Sequence, residues 1–159
     1  MKLPIKPVTL PKDLHNQENG KLDPSLLTPI EGGQMHHLAA KHWEALVYAA
    51  KKAGLILKPT SALDTYRPYS AQLTTFFKRY DNTKRNTRME VFQGKKWWLK
   101  PGVAGAAVPG TSNHGWGLAV DIANVNGKTL EWLLQHADDY GFSWEDQSEA
   151  WHIRYYKGD

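Results

Sequence analysis

The segment Ser112-Asn113-His114-Gly115-Trp116-Gly117-Leu118-Ala119-Val120-Asp121 opens with polar and small residues and closes inside a strand pattern. From Leu118 to Asn124 the large apolar residues Leu118, Val120 and Ile122 alternate with Ala119, Asp121 and Ala123. Successive strand side chains point to opposite faces, so the larger residues can face a core. The other face then carries one carboxylate between two alanines, with room above it. His114 lies seven positions before Asp121, just ahead of the strand. Glycines at 115 and 117 let the connecting loop fold the imidazole back over it.

The partner segment lies near the end of the chain, at Glu149-Ala150-Trp151-His152. Trp151 to Tyr155 reads as a final strand, with His152 and Arg154 on one face and Glu149 in the turn leading in. If this strand neighbours the one holding Asp121, one carboxylate and two imidazoles converge. Three such ligands with a fourth position open for water form the catalytic rather than the structural arrangement of zinc. The chain contains no cysteine, so any metal must be held by His, Asp or Glu. Glu149 stands close enough to take a proton from the water that attacks an amide. Arg67, before Pro68, is the candidate cation for a developing oxyanion or a substrate carboxylate.

Structural roles compete with this reading, since a lone His or Asp most often serves the fold. The helical zinc motif H-E-x-x-H is absent. His15, His36, His37, His42 and His136 have no convincing ligand partners; His36 and His37 are adjacent, hence not on one helix face. Trp116, between two candidate ligands, is expected to line a cleft, although tryptophans more often pack. The residues alone leave both readings open.

Outward from the two segments, residues 1–32 read as an extended, proline-punctuated arm expected to wrap on the surface. Residues 34–53 show apolar residues at three- and four-residue spacing and predict a helix stopping at Gly54. Leu55–Leu57 and Thr65–Arg67 read as short strands. A helix is expected from a cap at Ser70 to about Tyr80. Residues 81–95 read as a polar surface loop, Lys96–Leu99 as a strand or hairpin arm, and 128–140 as a helix. This order predicts one α+β domain, a small, mostly antiparallel sheet flanked by helices. The expected division is an arm at 1–32 and a catalytic domain at 33–159.

Composition excludes several classes. A chain of 159 residues with 41% hydrophobic residues can bury a core, which argues against disorder. No stretch approaches the roughly 18 apolar residues of a membrane span. Net charge is +4, which suits anionic partners or simple solubility. The basic residues Lys78, Arg79, Lys84, Arg85 and Arg88 form no nucleic-acid motif, so no nucleic-acid partner is expected. Met1 to Gly20 shows no apolar signal-peptide core.

The patterns S-x-H-x-x-G-x-A-x-D, Ser112 to Asp121, and E-x-W-H, Glu149 to His152, resemble the two signatures of the D-Ala-D-Ala carboxypeptidase (VanY-like) family of zinc peptidases. That family includes vancomycin-resistance carboxypeptidases and dipeptidases and several phage endolysins. The resemblance implies one zinc ion on His114, Asp121 and His152, with Glu149 as catalytic base. It implies substrate contacts for Arg67 and for Tyr66 before it, in a matching Tyr-Arg pair, and a supporting substrate-binding role for Ser112. It extends more weakly over Asn19 to Tyr80, where the similarity is to phage-associated members, and implies the family's hedgehog/DD-peptidase-like fold. The expected partner is bacterial peptidoglycan and the expected protein a monomer. The leading expectation is a phage-type endolysin cutting L-Ala–D-Glu or a similar internal bond. It would be made in the cytoplasm and reach the wall after release, or be secreted if a signal peptide has been removed. The alternatives are a D-Ala-D-Ala carboxypeptidase and a non-catalytic zinc-containing binding module, as in hedgehog signalling domains. Glu149 and Arg67 argue against the last, because pure binding needs neither.

Overall fold

The computed structural model describes residues 2–159. Its helices are α1 (His37–Lys52), α2 (Tyr69–Arg79) and α3 (Gly127–His136). Its strands are β1 (Leu27–Ile30), β2 (Gly33–His36), β3 (Tyr80–Asp81), β4 (Met89–Phe92), β5 (Lys95–Leu99), β6 (Ala119–Asp121), β7 (Phe142–Trp144) and β8 (His152–Tyr155). All pairing between them is antiparallel: a β1-β2 hairpin, a β3-β5-β4 sheet and a β6-β8-β7 sheet. This is the expected α+β fold, with the antiparallel pairing divided among three small sheets. Among the described residues no helix is long and apolar enough to cross a membrane.

Helix α1 follows its sequence pattern, burying Ala39, Ala40, Trp43, Leu46 and Ala50 on one face. It starts three residues later than expected, because residues 34–36 pair in β2. The His36 ring caps it, Nδ1 accepting from the Leu38 N–H at 3.2 Å. Helix α2 is not capped by Ser70. It begins after Pro68, and the Gly20 carbonyl accepts its Tyr69 N–H at 2.9 Å, so a distant segment satisfies the free donor.

Strand expectations need more correction. Residues 55–57 form no strand. Pairing begins just beyond, where Lys58 and Thr60 bond Ala123 and Asp121 along the free edge of β6. Thr65–Arg67 is not a strand; its amides bond Gln34 and His114 instead. The expected loop 81–95 contains β4, which pairs with β5 and whose Phe92 meets Phe76 and Phe77 of α2. Strand β7 is three fully buried residues, too short to show a period.

The core lies between α1, α3 and the β6-β8-β7 sheet, with Leu46, Leu118, Val120, Leu133, Trp144 and Ile153 at its centre. The N-terminal arm adds Leu3, Leu14 and Leu22 to it. Each such side chain contributes about 1.5–3 kcal/mol relative to its exposed state.

Candidate metal centre and cleft

The β6–β8 register sets Asp121 directly opposite His152. His114 reaches the same point from the 3-10 turn Asn113–Trp116, whose first residues are held by the Ser112 Oγ accepting the His114 N–H at 3.1 Å. Both motif glycines are required. A Cβ at Gly115 would fall 1.8 Å from Asn19 Oδ1, and Gly117 has φ +70° with the His36 backbone 2.6 Å from any added Cβ.

Asp121 Oδ1 lies 2.8 Å from His152 Nδ1 and 3.3 Å from His114 Nε2. One ligand atom from each of the three residues falls within 4.8 Å of the others. The ring of His114 shows that these residues suit a cation. Its Nδ1 lies 2.8 Å from the Thr65 carbonyl, which can only accept, so Nδ1 carries the proton. In the neutral tautomer so fixed, the Nε2 lone pair turns toward the Asp121 carboxylate, 3.3 Å away. Two acceptors face each other there, a contact that a metal ion between them makes favourable. His114, Asp121 and His152 would hold it, and their N/O donors suit zinc.

Burial would raise the Asp121 carboxyl, but the His114 and His152 rings beside it outweigh this and hold it well below the usual range. Burial would lower His152, yet bonds to Asp121 and Glu145 push it up to about 9. Burial pushes Glu149 up, reinforced by Asp146, Asp121 and Glu145 and opposed by His152.

The centre opens on a cleft of about 520 Å³. Glu149, Arg67 and Ser112 line it. Glu149 is pinned in its turn, its N–H donating to Asp146 and its carbonyl accepting from His152. The Arg67 guanidinium lies 3.9 Å from Asp121 Oδ2 and is steered by Asp64 at 3.0 Å and the Leu63 carbonyl at 2.8 Å. The two expected aromatic contacts lie elsewhere. Trp116 packs on the core, and Tyr66 is buried with its hydroxyl accepting the Leu22 N–H. Position next to a ligand or cation in sequence did not decide which way either ring points. Trp151, 44% exposed, lines the cleft instead.

Glu145 was not anticipated. It bonds His152 Nε2 at 2.6 Å and accepts from Asn113 Nδ2 at 2.9 Å. Its place depends on β7, which the sequence pattern did not reveal. His36 and His37 do have a partner, Asp13, whose two oxygens lie 2.7 and 2.6 Å from their rings. His36 Nδ1 accepts the helix-capping N–H, so its Nε2 carries the proton given to Asp13. That ring is already committed to the fold.

The family described as VanY: D-alanyl-D-alanine carboxypeptidase matches residues 32–158. The chain belongs to this family. It is therefore a hydrolase of the VanY peptidase family, and the two motifs fall within the matched region. No curated protein matches the chain. Among solved structures, the LdcB LD-carboxypeptidase has 24% identity over 86% of this chain and 71% of its own, with a TM-score of 0.60. The zinc complex of a vancomycin-resistance D,D-pentapeptidase VanY from a VanB-type cassette has 20% identity over 98% and 85%, with a TM-score of 0.56. The L,D-carboxypeptidase DacB of Streptococcus pneumoniae has 23% identity over 78% and 67%, with a TM-score of 0.51. At these identities the likeness is one of fold.

Proposed function

We propose that the protein is a zinc-dependent peptidase acting on the stem peptide of bacterial peptidoglycan. The observation that carries this is the convergence of His114, Asp121 and His152 at the cleft that Glu149 and Arg67 also line. When bound, zinc supplies a Lewis acid that polarises a carbonyl and lowers the pKa of water. Glu149, destabilised as a carboxylate by burial, accepts the proton of the attacking water and returns it to the leaving amine. Arg67, held in place by Asp64, offers a cation to the oxyanion or to a substrate carboxylate.

Family membership favours release of a terminal D-Ala. A second reading, an endolysin-type cut at L-Ala–D-Glu or a similar internal bond, is favoured by the cleft's reach to Arg79, Arg88 and Ala104–Ala107, beyond the metal centre. Under it, the protein acts on the wall after release from the cytoplasm. Mass spectrometry of purified peptidoglycan digested by wild type and Glu149→Ala tests both. Loss of one D-Ala marks a carboxypeptidase; free stem peptides or cut cross-links mark the endopeptidase. Glu149→Ala is expected to lose turnover about 10²–10⁴-fold with zinc still bound. A zinc-loaded wild type yielding no product from any wall chemotype would replace the peptidase by a binding module.

A further inference from the structure

The β7–β8 register pairs Trp144 with Ile153, so the next residue, Glu145, stands against His152. Asp121 stands against His152 on its other side. The three form a row across the sheet, carboxylate, imidazole, carboxylate, in which both ring nitrogens of His152 are engaged. Nδ1 faces the point where the ligand atoms meet. Nε2 faces away from it, 2.6 Å from Glu145 Oε2.

We propose that Glu145 is the positioning carboxylate of the metal centre, fixing the ring proton of His152 on Nε2 so that the Nδ1 lone pair is presented to the metal. The inference rests on the metal-centre reading above. A histidine ligand needs one bare nitrogen, and the acceptor on its other nitrogen decides which one it is. His114 has such an acceptor in the Thr65 carbonyl. His152 has a carboxylate, which also strengthens the ring as a donor to the metal. The other Glu145 oxygen is tied to Asn113, the residue before His114, so one side chain joins the two motif segments. Behind it lies Arg154, 5% exposed, its Nε 3.9 Å from Glu145 Oε2 and without a hydrogen-bond partner among the described residues.

The test is zinc affinity of the metal-free protein, by competition with a chromophoric chelator, for wild type, Glu145→Ala and Glu145→Gln. The glutamine is isosteric and its carbonyl can still accept the His152 N–H, so it serves where the alanine variant fails to fold. Loss of such a partner typically weakens metal binding about 10–100-fold. That loss is expected for alanine, with a clearly smaller loss for glutamine and a changed visible spectrum of the cobalt-substituted alanine variant. Affinities within twofold of wild type for both variants would overturn the proposal. So would equal losses in both accompanied by equal falls in metal-free melting temperature, which mark a residue of the fold alone. A wild type that binds no zinc would instead remove the metal centre, and this inference with it.

Discussion

The two three-stranded sheets share a plan and differ in burial. In both, the central strand is the last of the three in sequence and pairs antiparallel on each side. The β6-β8-β7 sheet is buried along nearly all its length, and its cross-strand row carries Asp121, His152 and Glu145. The β3-β5-β4 sheet is half exposed, with Met89 and Val91 facing solvent, and it rests on its own aromatic cluster around Phe76. Phe76 stacks on Tyr80 at 4.5 Å and meets Phe92 and Trp97 edge-on. Metal ligands need positions held to fractions of an ångström, which dense packing supplies. A cleft wall needs shape and charge, which the flanks of this small peripheral sheet supply through Arg79, just before β3, and Arg88, just before β4.

This contrast breaks down if disturbing one sheet has the same consequence as disturbing the other. The largest effect is expected at the inner sheet. Asp121→Ala should bring bound zinc from one ion per chain to near zero by elemental analysis, and peptidoglycan hydrolysis to background. It leaves two imidazoles around a point that needs three donors. At the outer sheet, Phe76→Ala should cost about 3–5 kcal/mol in denaturant unfolding, because it removes a fully buried ring. Its zinc affinity should stay near that of wild type. A matching loss of affinity would show that the two sheets act as one unit.

The smallest of the three effects sharpens the inner-sheet side. In the metal-free protein His152 is raised to about 9, above the ordinary histidine value. A raised pKa contributes stability that is fully present below the unfolded-state pKa of about 6.5 and is lost as pH rises through about 9. Metal binding runs the other way, since the ion must displace the Nδ1 proton. Calorimetry in buffers of different ionisation enthalpy should show about one proton released per zinc at pH 7. Affinity should rise by about tenfold per pH unit and level off above about pH 9. No proton release at pH 7 would mean that His152 is already neutral there, and that the carboxylates on either side do not hold its proton.

Much of the candidate site was legible because its signals are local. The alternation through Leu118, Val120 and Ile122 placed Asp121 on the opposite face, and the turn before His152 placed Glu149 beside that strand. The apolar face of α1 was likewise a repeat within one segment. Family resemblance added roles to residues that spacing alone left open. What was missed depended on partners outside the segment being read. Strand β7 exists because β8 pairs with it, and only that pairing brings Glu145 to His152. Strand β4 exists because β5 pairs with it and Phe76 and Phe77 of α2 meet its Phe92.

By itself the sequence determined which residues are the three candidate ligands, which carboxylate is the candidate base and the α+β class. A motif and a short-range period are properties of one contiguous stretch of chain. Only the tertiary structure decided that Trp116 and Tyr66 turn into the core while Trp151 faces the cleft. It alone decided that Arg67 is braced by Asp64, and that a second carboxylate stands behind His152. The direction a side chain takes depends on which distant surface covers it, and that surface forms only when the chain has closed on itself.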